Sequence, residues 1–288
     1  RSVHFTDPLH GWVTGDRGTV IQTSDGGRNW KKQRDSGRQM GVLYGSPHDH
    51  HINGSAMVAV GEHFDSAYIL MGRSAHQPFQ TGGDVNTHKT DAVTTAMGVA
   101  VGYNFNEFGW RGRDSPHLIL ERYQHHRGLE EIEQRLVAAI RCLKPLVVVG
   151  EQPVMQEGYY AHGVGDVARA VVAAYESAGD PKRFPELTEL GLKPYAPKKL
   201  YLAVMWPNLM YDVHPRTLRL APKFGQDKRL GRTREEATLE GRQVFWGLLD
   251  RGRPPETQKP WPGSWSLHLK DSKVDAPSPE KDIFDGIK

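Results

Sequence analysis

With 288 residues the chain is long enough for one large domain, or one domain with an appendage, and a hydrophobic content of 38% leaves room for generous loops. Its 37 Lys and Arg against 34 Asp and Glu leave a net charge of only +3, scattered and without long like-charge runs, so a nucleic-acid footprint is not indicated. A single cysteine, Cys142, excludes an intrachain disulfide and a thiolate metal cage, and no apolar stretch approaches the roughly 18 residues needed to span a bilayer.

The chain begins at Arg1 without an initiator Met or a leader-like apolar segment, so a natural N-terminus upstream is expected and both cytoplasmic and exported locations stay open. Residues 1–36 carry short β-prone pieces, Val3-His4-Phe5, Gly11-Trp12-Val13 and Thr19-Val20-Ile21, separated by Asp and Gly turns, and this pattern predicts a β meander. Within it, Thr23-Ser24-Asp25-Gly26-Gly27-Arg28-Asn29-Trp30 resembles the Asp-box hairpin of certain β-propellers. Asp25 and the glycines suit a tight turn, and Trp30 would cover the apolar side of the hairpin. A propeller needs at least about four such blades and no second copy is found, so a blade-like fragment is expected here.

From residue 41 to about 250 the pattern changes to apolar strands, expected at 41–45, 67–71, 99–105, 146–150 and 199–205, alternating with helical patterns at 53–64, 88–97, 128–143, 164–178 and 234–249. Strands separated by helices of that length argue for βαβ units, hence an α/β fold: a Rossmann-like three-layer domain with a mainly parallel sheet, preceded by the short meander. Leu146-Val147-Val148-Val149 is a continuous apolar run, as expected of a central strand covered on both faces. The helix before it is expected to bury Leu129, Ile132, Leu136, Ala139, Ile140 and Leu143 with Glu130, Glu131, Glu133 and Arg135 outside, and it stops at Lys144-Pro145, since Pro cannot continue it. Residues 252–288 are rich in proline and poor in apolar periodicity, and an irregular surface tail is expected.

Gly45-Ser46-Pro47-His48-Asp49-His50-His51 puts three imidazoles and a carboxylate into four positions after the first expected strand. Ligands of open α/β sheets bind at the carboxyl ends of strands, and imidazole and carboxylate are the usual donors to Zn²⁺. Tyr160-Ala161-His162-Gly163-Val164-Gly165-Asp166 follows the central strand by a loop and precedes a helix. Both clusters are therefore expected at the same end of the sheet. The bland alternative is a polar turn whose histidines cap a helix or face solvent.

Over about residues 41–250 these motifs resemble the zinc-dependent N-deacetylases of the LmbE-like or PIG-L-like superfamily, whose pattern opens with a strand, His-Pro-Asp-Asp-Glu and a helix, and carries a later His-x-x-His at another helix start. Further similarity lies in Ala178-Gly179-Asp180-Pro181, Phe184-Pro185-Glu186 and the segment from Leu192 to Tyr201. The resemblance implies a zinc site fed by His48, His50 and His51, with Asp49 as general base and His162 and Tyr160 stabilising the oxyanion. Two registers are open. In the preferred one Asp49 falls on the base and His50 on a zinc-binding Asp; in the other His48 and His51 keep the ligand spacing and His50 replaces the base. The family's final zinc histidine is replaced by Gly165, leaving Asp166 as the nearby substitute.

Trp110, Arg111 and Arg113, in a loop after an expected strand, suit a sugar ring or an anionic group by their aromatic face and bidentate guanidinium, or else form a plain surface loop. The implied activity is hydrolysis of an N-acyl, in the first instance acetyl, group from an amino sugar or sugar conjugate. The alternative is a catalytically inactive carbohydrate-binding or assembly protein on the same fold.

Overall fold

The structure, a computed structural model, describes residues 2–14, 20–34, 39–46, 64–71, 94, 98–104, 129–151, 165–204, 217–219, 226–227, 232–233, 236, 240–241, 266–277, 280 and 282–287. Residues 1–39 and 40–288 form two units.

In the first unit, β1 (Ser2–Phe5), β2 (Gly11–Thr14), β3 (Val20–Thr23) and β4 (Lys31–Arg34) pair antiparallel in chain order, the expected meander. The β3–β4 turn is built around Asp25. Its carboxylate accepts the Asn29 backbone N–H at 2.9 Å, Asn29 Nδ2 at 2.7 Å and the Thr23 hydroxyl at 2.8 Å. Those bonds, the Asn29 backbone bond foremost, hold the Asp25 carboxyl below its ordinary pKa. Gly26 and Gly27 supply the φ values of 72° and 89° that the turn requires. The Trp30 ring meets Phe5 edge to face, centroids 6.2 Å apart.

The second unit is organised on a sheet containing β5 (Gln39–Ser46), β6 (Phe64–Leu70), β7 (Val101–Asn104), β8 (Val147–Glu151), β9 (Lys199–Val204), β10 (Thr217–Arg219) and β13 (Ser266–Ser272). Its order is β10-β13-β9-β8-β5-β6-β7, and β11 (Gln226–Asp227) pairs with β12 (Arg232–Thr233) apart from it. The pairs β5–β8, β8–β9 and β6–β7 are parallel, whereas β13 runs antiparallel to both β9 and β10. All five residues of β8 are buried, as its unbroken apolar run requires.

Helices α1 (Leu129–Leu143) and α2 (Gly165–Ser177) cover one face, burying Ile132, Leu136, Ile140, Val167, Val171 and Ala174 against Leu43, Ile69 and Val148. Helix α1 is closed by Lys144, whose φ of 52° is left-handed, and then by Pro145. A short helix, α3 (Pro185–Glu189), follows α2. Between them Arg141, 1% exposed, donates to the carbonyls of Ala178, Asp180, Arg183 and Phe184, satisfying the backbone that leaves α2. The opposite face buries Val42, Tyr44, Tyr68, Val149 and Tyr201, with Ile283 from the C-terminal segment among them.

Two glycines set how closely α2 approaches the sheet. A Cβ on either Gly45 or Gly150 would meet a Val171 methyl at 2.8 Å. Gly150→Ala is therefore expected to push α2 outwards and to cost about 1–3 kcal/mol, read as a lower urea midpoint, while Val171→Ala in the same chain recovers part of the loss.

Three expectations change. Phe64 belongs to β6 rather than to the end of a helix; it shares a strand face with Ser66 and Tyr68 and stacks on Phe284 at 4.4 Å, so its helical spacing from Val60 is coincidental. Glu133, placed by periodicity on the outer face of α1, turns inward because Arg183 and Ser177 give it hydrogen bonds at 2.7 and 2.8 Å. The C-terminal stretch is not uniformly irregular: Ser266–Ser272 is a sheet strand, with Leu267 and Leu269 buried in the core. The second helical layer expected from the sequence falls mainly on residues 53–63, 88–93 and 242–249, outside the described residues.

Candidate functional site

His48, Asp49, His50, His51, Trp110, Arg111, Arg113, Tyr160 and His162 lie outside the described residues. Asp166 sits in the first turn of α2, and its side chain is likewise outside them. Among the described residues no group of three or more His, Cys, Asp or Glu could hold a metal. What the structure does describe is the end of β5, directly before the first motif, and the end of β8, from which the chain runs on towards the second.

Ser46 is the last residue of β5 and Glu151 the last of β8, and these strands are adjacent and parallel. The Ser46 hydroxyl donates to Glu151 Oε1 at 2.6 Å, and the Tyr44 hydroxyl donates to the same oxygen at 3.3 Å. All three side chains are buried: Ser46 and Tyr44 are 0% and Glu151 3% exposed. Tyr44, Ser46 and Glu151 share a face because a strand places alternate residues on one side, and they share an end because the pairing is parallel.

A third strand joins in, since the Met71 N–H, just past β6, donates to the Ser46 carbonyl at 2.8 Å. On its other side Glu151 is paired in register with Ala203 of β9. Burial, and then the charge of Glu151 and the neighbouring Tyr68, push the Tyr44 phenol well above its ordinary pKa. Tyr44 is thus a fixed proton donor towards Glu151, its ring packed on Tyr68 with centroids 5.6 Å apart.

Glu151 is the polar residue that the reading of motifs passed over. Its signal was present: a carboxylate closing the apolar run Leu146 to Gly150 at the carboxyl end of the central strand. Cys142 is exposed on α1 and belongs to no metal-donor group among the described residues. The donors in positions 48–51 are nitrogen and oxygen ligands, a set that fits Zn²⁺ by its chemistry.

No family model and no curated protein matches the chain. Among solved structures, the 4-carboxy-2-hydroxymuconate hydratase of Pseudomonas putida is similar over 83% of this chain and 99% of its own, at 11% identity and a TM-score of 0.52. The N,N'-diacetylchitobiose deacetylase of Pyrococcus horikoshii is similar over 79% of this chain and 82% of its own, at 13% identity and a TM-score of 0.46. A conserved protein of Thermus thermophilus is similar over 84% of this chain and 100% of its own, at 14% identity and a TM-score of 0.48. The likeness to the hydratase shows that the α/β architecture is one already seen in an enzyme. A shared fold does not name a reaction, so function has to be argued from the residues. No helix among the described residues is long and apolar enough to cross a membrane.

Proposed function

We propose that the chain is a metal-dependent amide hydrolase of the LmbE-like or PIG-L-like class, removing an N-acyl group, acetyl in the first instance, from an amino sugar or sugar conjugate. The observation that carries this reading is the hydrogen bond between Ser46 and Glu151: the strands leading into the two histidine-bearing motifs end side by side, at the edge where α/β sheets bind ligands.

His48, His50 and His51, with Asp166 as the carboxylate in place of the expected final histidine, would hold zinc. A bound zinc ion supplies Lewis acidity, drawing the pKa of a coordinated water towards about 7. Asp49 accepts the proton of the attacking water. Tyr160 and His162 donate hydrogen bonds to the oxygen on which negative charge develops, and the C–N bond then breaks to give a carboxylate and a free amine. Trp110, Arg111 and Arg113 offer the aromatic face and guanidinium groups that a sugar or its anionic substituent would meet.

The test is acetate release from a panel of acetamido sugars by protein purified without a histidine tag. Release that a chelator abolishes and zinc restores supports the proposal. A stable, folded protein that binds these sugars, contains sub-stoichiometric metal and releases no acetate overturns it in favour of an inactive carbohydrate-binding or assembly role.

A further inference from the structure

The N-terminal sheet leaves its apolar side chains uncovered. Among the described residues of that unit no apolar side chain is buried: Val3 is 64%, Leu9 54%, Phe5 42% and Trp30 38% exposed. Units below about 40 residues usually add a disulfide, a metal or a second copy to make up for so small a core. The chain's one cysteine, Cys142, belongs to the other unit, and no metal-donor group is found among the described residues. Association is the device that remains.

The two outer strands of this sheet, β1 and β4, differ in chemistry. Strand β4 is built of Lys31, Lys32, Gln33 and Arg34, so pairing it with β4 of another copy would set cations against cations. Edge charges of this kind guard against sheet-to-sheet pairing. Strand β1, Ser2-Val3-His4-Phe5, has no Lys, Arg, Asp, Glu or Pro, and among the described residues it pairs with β2 alone. The unguarded edge is also the one that carries exposed Val3 and Phe5.

Antiparallel pairing of a strand with its own copy is a two-fold operation, so every contact is made twice. The faces then choose the register. Val3 and Phe5 share one face with Val13 and Gly11, while His4 lies on the other with Trp12. A shift of one residue would set apolar side chains against the His4 face, so only odd positions opposite odd ones keep them together. Val3 opposite Phe5 of the second copy meets that condition and puts the two His4 residues on the axis. The Phe5 ring leans inward over Gly11, where an added Cβ would meet it at 2.6 Å, and its outer flank is left for Val3.

We infer that two copies of this chain associate through the outer edge of β1, antiparallel, with Val3 of each opposite Phe5 of the other, so that the two N-terminal sheets continue into one. The inference does not depend on the metal-dependent reading above. An edge of four residues falls well short of the roughly 20–30 residues a side of a permanent interface, so the association is reversible and concentration-dependent.

Sedimentation velocity of the 288-residue chain between about 1 and 100 µM reads it, in a Cys142→Ser background that removes the exposed thiol. A monomer–dimer equilibrium is expected. Val3→Lys should weaken it at least about tenfold, because the substitution acts twice and guards the edge, whereas Lys31→Gln on β4 should leave it unchanged. Cross-linking reads the register. In the same background His4→Cys brings two thiols together on the axis and should give a disulfide-linked dimer under mild oxidation, while Val3→Cys leaves them more than about 7 Å apart and should not. A chain that stays monomeric over the whole range overturns the inference. So does a dimer indifferent to Val3→Lys, or one cross-linked as well from Val3→Cys as from His4→Cys. Should Val3→Lys not fold, the two cysteine variants decide alone, and failure of His4→Cys to cross-link overturns the contact.

Discussion

Protein isolated without a histidine tag is expected to carry close to one equivalent of transition metal, and His48→Ala and His50→Ala are each expected to lose it. The effect should exceed the roughly 10–100-fold typical of an outer partner, because a ligand removed leaves the ion one bond short rather than misaligned. Asp49→Asn separates binding from chemistry. If Asp49 is the base, this variant keeps its metal and loses about 10²–10⁴ in the rate of acetate release. If the alternative register holds, with His50 as the base, Asp49→Asn stays active and His50→Ala keeps its metal while losing turnover. Metal content by elemental analysis, with acetate release measured alongside, reads both properties from one preparation. Metal content unchanged by both histidine substitutions removes the turn from the site altogether.

Glu280→Ala is expected to be the most destabilising single substitution among the described residues outside that site. Lys199, on the first residue of β9, is 0% exposed and its Nζ lies 2.9 Å from Glu280 Oε1, itself 6% exposed. The Tyr201 hydroxyl donates to the other oxygen of the same carboxylate. Without Glu280 the Lys199 ammonium is left buried and loses the salt bridge it makes among the described residues, which costs about 3–5 kcal/mol. Urea unfolding should show a lower midpoint at unchanged slope, since the surface exposed on unfolding is the same. Replacing the whole pair, Lys199→Met with Glu280→Leu, should recover most of that stability, because two apolar side chains need no desolvation. A loss below about 1 kcal/mol in the single variant would mean that the pair behaves as a solvated surface bridge.

That ion pair shows where sequence reading stops. Lys199 opens a strand that the apolar spacing located within a residue, yet its partner lies 81 positions away, in a stretch whose prolines read as irregular tail. Leu267 and Leu269 have the alternation of a strand, but pairing with β9 and β10 in the sheet gives that alternation a face to bury. Glu133 follows the same logic in reverse: local periodicity points it outward, and Arg183, distant in sequence, turns it in. In each case the deciding partner comes from elsewhere in the chain.

The candidate site residues are read from the sequence alone. Side-chain chemistry and strand-end position singled out His48 to His51 and Tyr160 to Asp166, because imidazole and carboxylate have few reasons to cluster after an apolar strand. Glu151 was not found that way. Its hydrogen bond with Ser46 spans 105 residues, and no motif encodes a contact at that separation.

By itself the sequence determined the properties that follow from local physics: the β meander, the parallel strands with their buried runs, and the stop of α1 at Lys144-Pro145. Backbone sterics and hydrophobic period operate over a few residues, so a single chain read in order displays them. Only the tertiary structure decided that β13 completes the sheet, that Val171 rests over two glycines, and that one buried carboxylate joins the ends of β5 and β8. Those features exist only when distant segments share a burial environment, where the cost of an unpaired charge or an added methyl is set by neighbours the local sequence does not contain.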